Sequence, residues 1–198
     1  MEVLLSVCLG IGLSAACGFR IFVPFLLMSV AARADHLSLN GSFEWVASDA
    51  ALITFGVAAA LEIGAYFVPW LDNLLDSMAT PTAVVAGVLA SAATIEGTSP
   101  LLGWTLAVVG GGGAAALIQG GTTLLRGASS LMTAGFGNPI VSSAEAGGAV
   151  TLASLAIVLP VLAALLALTV LLVVATGAAR ALTPRPVAVE APTRPLVR

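Results

Sequence analysis

The run Val3–Ala32 carries a single charge, Arg20. As a helix rising about 1.5 Å per residue it would reach roughly 45 Å, more than a hydrocarbon core of about 30 Å. Such a run must tilt, project or bend, and Pro24 is the expected kink. A cleaved secretory leader is the competing reading, because Ala32–Asp35 (ARAD) resembles an Ala-x-Ala processing site. The chain opens on Met-Glu rather than a basic region, and the run is too long for a leader's apolar core. The expectation is a retained first transmembrane helix.

The rest of the chain repeats this constraint. Of 198 residues, 59% are hydrophobic and 9% charged, and the mean hydropathy is +1.10. Soluble domains carry about 25% charged residues. Too few charges are present to cover a surface facing water, which excludes a soluble globular domain and implies an all-α polytopic membrane protein. Lys is absent, and the basic residues are seven arginines. Cys8 and Cys17 both fall in the first apolar run and read as packing residues. With one histidine, His36, in a loop, a His/Cys metal site has no ligands, and no cofactor is expected.

Six apolar segments can be drawn: Val3–Ala32, Ala50–Trp70, Thr82–Ile95, Leu101–Leu125, Pro139–Leu159 and Pro160–Ala179. The third is short enough to be re-entrant or interfacial. The last two are separated only by VLPVL and are also consistent with one helix bent at Pro160, so four to six true spans are expected. Residues 1–181 form the membrane domain, and the Pro/Arg-rich residues 182–198 are expected to be a disordered cytoplasmic tail. With six spans and a cytoplasmic N-terminus, Arg126, Arg180, Arg185, Arg194 and Arg198 fall inside and Arg33 outside, as the positive-inside rule requires. That layout places both termini in the cytoplasm. A weak internal echo sets Gly10–Arg20 beside Gly111–Gly121, and Leu61–Ala65 beside Ala144–Gly148. Arg20 then falls opposite Gln119, and Glu62 opposite Glu145. This is either a 3+3 inverted repeat with broken or kinked helices, or the chance likeness of Ala/Gly-rich segments.

Three ionisable residues lie deep in apolar segments: Arg20, Glu62 and Glu145. A charge at mid-membrane costs about 2.5–3.5 kcal/mol on insertion scales, so it faces a partner or a polar interior. Such charges either fix helix register as ion pairs or build a substrate, ion or proton site. Gln119 and Asn138 are the polar neighbours expected beside them. Asp72 and Asp76, four apart, share a helix face and form a candidate cation site or a solvated interfacial face. Membrane transferases use Asp-x-x-x-Asp to hold Mg²⁺, but they need further carboxylates around the metal, and no second acidic cluster exists here. No histidine lies at depth for a Ser/His hydrolase, and Gly110–Gly113 lacks the Lys-Ser/Thr of a phosphate loop. An enzyme is therefore not expected. The four glycines read as a close helix contact or a local break. Asn138-Pro139 reads as a helix start.

These motifs resemble a family. GLSAACGFRIFVPFLL, the Glu of LEIGAYFVPWLDNLLD, and GNPIVSSAE are similar to a domain-of-unknown-function family of small bacterial integral membrane proteins, from about Leu9 to Pro160. Glu62, Pro69, Asp72 and Asp76 match its second-helix pattern, and Asn138, Pro139, Ser142 and Glu145 match its Asn-Pro…Ser…Glu stretch. Members often carry Ala-Asp-Lys after the first Glu, where this chain has Gly64, Ala65 and Tyr66. Members often carry Asp after the second Glu, where this chain has Ala146. The resemblance implies a membrane protein and no particular activity. The expected function is a small-solute or ion transporter or channel-like protein with an Arg/Glu site. The alternative is a non-transporting scaffold or subunit whose charges are structural pairs. Expected partners are the bilayer and a small ion or solute, with a homodimer or membrane-protein partner as further options and no nucleic acid.

Overall fold

Where the first apolar run breaks decides how the other helices pack. The computed structural model describes residues 1–65 and 69–182, with the backbone alone described for residues 69–77, 178 and 180–182. Apart from the backbone of Leu182, the expected tail lies outside the described residues. The first run is two helices, α1 (Glu2–Cys17) and α2 (Phe22–Arg33). The break falls at residues 18–21, several residues before the expected kink. Pro24 sits instead in the first turn of α2, where its missing N–H has no intrahelical partner to lose. It helps to start a helix rather than bend one. Just past the end of α1 the chain lies close against α6: a Cβ on Gly18 would lie 2.6 Å from Ile118 Cβ and 2.7 Å from the Ala115 carbonyl oxygen. The Gly18, Phe19 and Arg20 amides fold back onto the carbonyls of Ser14, Ala15 and Ala16, which satisfies the last turn.

After α2 a 3₁₀ segment, Gly41–Ala47, leads at a bend of 68° into α3 (Asp49–Ala65). Asn40 caps that segment through Ser42, and Arg33 ties its end by bonding the Ala47 carbonyl and pairing with Asp49. The helix α4 (Pro69–Thr94) contains Pro81 and joins the acidic stretch LDNLLDSMAT to the third apolar segment. That segment is therefore longer than expected. A turn at Ile95–Ser99 then starts a continuous helix, Pro100–Thr133. It comprises α5 (Pro100–Leu106), a π-helical segment (Ala107–Gly112) and α6 (Gly113–Thr133). It runs past Arg126, which was expected in a loop, and continues through Gly127 to Thr133, ending where Ala134 turns left-handed. Finally, α7 (Asn138–Val158) and α8 (Pro160–Leu182) are separate helices meeting at Leu159. All regular structure among the described residues is helical.

Helix α1 is the centre of the bundle, packing against α4, α7 and α8. Small residues allow this. Ser14 donates to the Gly87 carbonyl at 2.6 Å and shares a hydrogen bond with Ser91 at 2.9 Å. Gly87 and Gly111 touch across α4 and the π-helical segment: a Cβ on either would lie 2.7–2.8 Å from the other's carbonyl oxygen. Of the two uses expected of the glycine run, the close contact is met, while the helix does not break there but passes through it as a π-helical segment. A Cβ on Gly12 would meet Ala156 and Ala163, one from each side of the α7–α8 junction.

The distribution of polarity is inverted relative to a soluble protein. Arg20, Glu145, Ser14 and Ser91 are buried, while Leu101, Leu131, Leu165 and Val173 are more than half exposed. Among the described residues, three helices are long and apolar enough to cross a membrane: Pro100–Thr133, Asn138–Val158 and Pro160–Gly177. The bent pair Gly41–Ala47 and Asp49–Ala65 makes a fourth if it crosses as one. Glu2–Cys17, Phe22–Arg33 and Met78–Thr94 are shorter apolar helices. Several apolar helices with an aliphatic exterior fit a membrane protein.

The glycine contacts are directly testable by thermal unfolding in detergent. Gly87→Leu should destabilise by at least about 1–3 kcal/mol, the usual effect of overpacking. Gly120→Ala, where the added Cβ meets nothing within 4 Å, should be neutral or stabilising by up to about 1 kcal/mol.

Candidate functional site

The break between α1 and α2 delivers Arg20 into the interior. Its side chain is 1% exposed, and it reaches α7 rather than α3. Arg20 Nη2 donates to the Ser142 carbonyl at 2.9 Å and to the Ser142 hydroxyl, and lies 3.4 Å from Glu145 Oε2. Ser142 and Glu145 are three apart on α7 and so share the face that Arg20 meets. The open question of which glutamate pairs with Arg20 is answered by this geometry: Glu145 makes the direct ion pair.

Glu145 is itself 4% exposed and engages a second guanidinium. Arg126 Nε donates to Glu145 Oε1 at 3.0 Å, and Arg126 Nη2 bonds Glu145 Oε2. This is the two-pronged arrangement that matches guanidinium to carboxylate. Arg126 is 6% exposed and lies on the buried face of α6 with Ala115, Ile118, Gln119 and Thr122. It is a corrected expectation: an arginine counted as a cytoplasmic loop charge is an interior one. The signal available was the spacing of residues 115, 118, 119, 122 and 126, which continues one helix face beyond the end drawn at Leu125.

Glu62 has a different partner. Its carboxylate accepts the Ile21 amide at 2.8 Å and the Phe22 amide at 3.0 Å. These are donors at the start of α2, which a helix cannot satisfy internally and which carry its positive dipole end. A side chain from α3 therefore caps α2, a role usually filled by the residue just before a helix. Arg20, immediately before Ile21, is close enough to act electrostatically on Glu62.

The remaining expected site residues stand apart. Gln119 is buried, but its amide donates to Thr123 at 3.5 Å within its own helix. Asn138 pairs with Ser130 across the α6–α7 turn. Neither makes a described hydrogen bond to Arg20, Glu62 or Glu145. The side chains of Asp72 and Asp76 lie outside the described residues. No cluster of His, Cys, Asp and Glu suited to a metal ion occurs among the described residues.

Chemically, the arrangement is two guanidiniums, one carboxylate clamped between them, and a second carboxylate held by backbone amides across a helix break. Removing one member of a buried pair leaves the other's charge in low dielectric. Arg126→Gln should therefore destabilise the protein by about 3–5 kcal/mol. The same change at Arg185, in the tail, should be silent within about 0.5 kcal/mol. Thermal unfolding of both variants in detergent checks this, and equal effects would return Arg126 to the surface.

No curated protein and no solved structure shows significant similarity to the chain. The model of the DUF4126 family, a domain of unknown function, matches residues 7–180. That match spans both helices of the broken first run and every described residue of the charge cluster, so the chain belongs to the DUF4126 family.

Proposed function

We propose that the protein is a small-solute or ion transporter, or a channel-like protein, whose site is the Arg20–Glu145–Arg126 cluster with Glu62. The observation that carries this reading is the helix break at residues 18–21. Ionisable side chains from α3, α6 and α7 converge on it, and it presents backbone amide donors. Discontinuous helices of this kind place dipole ends and unsatisfied backbone at a binding site in transporters. Intramembrane ionisable groups are functional by default, because their insertion is unfavourable.

The reading includes a membrane layout. The broken α1–α2 run, the bent 41–65 pair, α4, the 100–133 helix, α7 and α8 each traverse once, giving six traverses in two sets of three. An odd number per set would make the halves inverted repeats. Within each half, the glutamate of the second traverse then bonds the first traverse: Glu62 to Ile21 and Phe22, Glu145 to Arg126. With Arg126 buried, the orientation rests on Arg180, Arg185, Arg194 and Arg198 against Arg33. That balance puts both termini in the cytoplasm of a bacterial inner membrane.

A scaffold or subunit role is the second reading. It is favoured by the engagement of both Glu145 oxygens by guanidiniums and by the near-complete burial of the cluster. Ion pairs that only fix helix register would have this form. Reconstitution into liposomes separates the two. On the transport reading, purified protein moves small ions or protons above empty-vesicle background. Glu145→Gln and Arg20→Gln, if still folded, then reduce that flux by at least about tenfold, the loss expected for one charged contact. Variants that lose thermal stability alone, with no wild-type flux across a panel of small anions and cations, favour the scaffold.

A further inference from the structure

We infer that Glu62 is a proton-operated latch: ionised, it holds the α1–α2 break closed by capping α2; protonated, it releases the Ile21 and Phe22 amides. This deepens the transport reading by naming how its site is regulated, and it rests on that reading for its purpose but not for its test.

The argument begins with what can change charge. Arg20 and Arg126 remain protonated at any accessible pH. Among the described residues, Glu62 and Glu145 are the carboxylates of the cluster, and their bonding differs. Protonating Glu145 would disrupt direct ion pairs to two guanidiniums. Protonating Glu62 disrupts hydrogen bonds to two neutral amides, at 2.8 and 3.0 Å. Glu62 is also only part-buried, whereas Glu145 is enclosed. The step is a simple protonation: a proton from water binds a Glu62 oxygen, and the negative charge facing the α2 dipole disappears. A neutral carboxyl is a weaker acceptor, and the favourable charge–dipole interaction is lost with it.

The surroundings leave Glu62 as the responsive group. Arg20, in the break, and Glu145, on α7, act on it electrostatically, and Cys17 at the end of α1 feels its charge. Among the described residues, α3 packs chiefly against α2 and the 3₁₀ segment, and Ala59 shares a buried cluster with Ala149 of α7, the helix that carries Glu145. The charged residues of α2 and the 3₁₀ segment, Arg33 and Glu44, lie beside the opposite end of α3, where Arg33 pairs with Asp49. That end is about 20 Å from Glu62 at 1.5 Å per residue. The latch acts on a hinge already broken in the backbone, so release needs no further unwinding of α1 or α2.

Hydrogen–deuterium exchange of the full chain in lipid nanodiscs tests this, read on the peptide covering residues 18–25 and normalised by intrinsic chemical rates. Protection in the wild type should fall at least about tenfold between about pH 8 and about pH 3, a range that brackets the ordinary Glu pKa of about 4.3, as two bonds to a charged acceptor weaken. In Glu62→Gln, protection should not depend on pH. Should that variant fail to fold, Glu62→Asp, with a shorter reach, should show reduced protection at both pH values. Unchanged wild-type protection across the range overturns the latch, as does a Glu62→Gln or Glu62→Asp variant that behaves like wild type. Loss of protection without any liposomal flux removes the transport reading and leaves the latch. Flux with unchanging protection does the reverse.

Discussion

Two guanidinium groups, from opposite ends of the sequence's first two-thirds, meet at one carboxylate. Arg20, Arg126 and Glu145 come from the α1–α2 break, α6 and α7, and all three are nearly inaccessible. Charges so enclosed are tolerated only in mutual contact. The contact therefore constrains three elements at once. It fixes the face that α7 turns inward, the rotation of α6, and the point at which the first run must stop being a helix so that Arg20 can reach Ser142 and Glu145.

The small residues follow from this constraint. Helices must approach closely for side chains of ordinary length to span the interior, and α1 is buried along its second half by residues such as Gly12, Ser14, Ala15 and Ala16. Gly18 lies against α6 just past the end of α1, and the Gly87–Gly111 contact draws α4 onto the π-helical segment. Large aliphatic side chains are left to the exterior, where lipid accepts them. Glu62 completes the design by satisfying the amides that the break exposes. A helix end inside an apolar bundle would otherwise hold unpaired donors, which cost several kcal/mol each in hydrocarbon.

Much of this was legible in the sequence, for physical reasons. Arg20, Glu62 and Glu145 announce themselves because a charge inside an apolar run is unfavourable and must be compensated. A pair between Arg20 and one of the glutamates is legible, but which glutamate is not, because pairing across more than a hundred residues depends on helix rotation rather than local pattern. Arg126 was hidden by its setting: beside Thr122, Gly127 and two serines it reads as a loop charge, although the buried face of α6 continues through it. Proline, the local breaker, points to Pro24, whereas the break falls at residues 18–21, where Gly18 approaches Ala115 and Ile118 and Arg20 turns to α7, both tertiary contacts that no local pattern shows. Asn138-Pro139 does start α7, with Pro139 in its first turn, but Asn138 is not the cap its sequence position suggests: Gly137 holds that place, and the Asn138 side chain serves the α6–α7 turn instead of the cluster.

The central claim is that Arg20 and Glu145 are energetically coupled across the break. A double-mutant cycle with Arg20→Met and Glu145→Met, followed by unfolding in detergent, measures that coupling directly. Direct contact predicts that the double variant is more stable than the sum of the single losses by about 1–3 kcal/mol, within the range for contacting residues. Losses that add to within about 0.5 kcal/mol, the behaviour of distant sites, would contradict the pairing on which the rest of the fold is argued to depend.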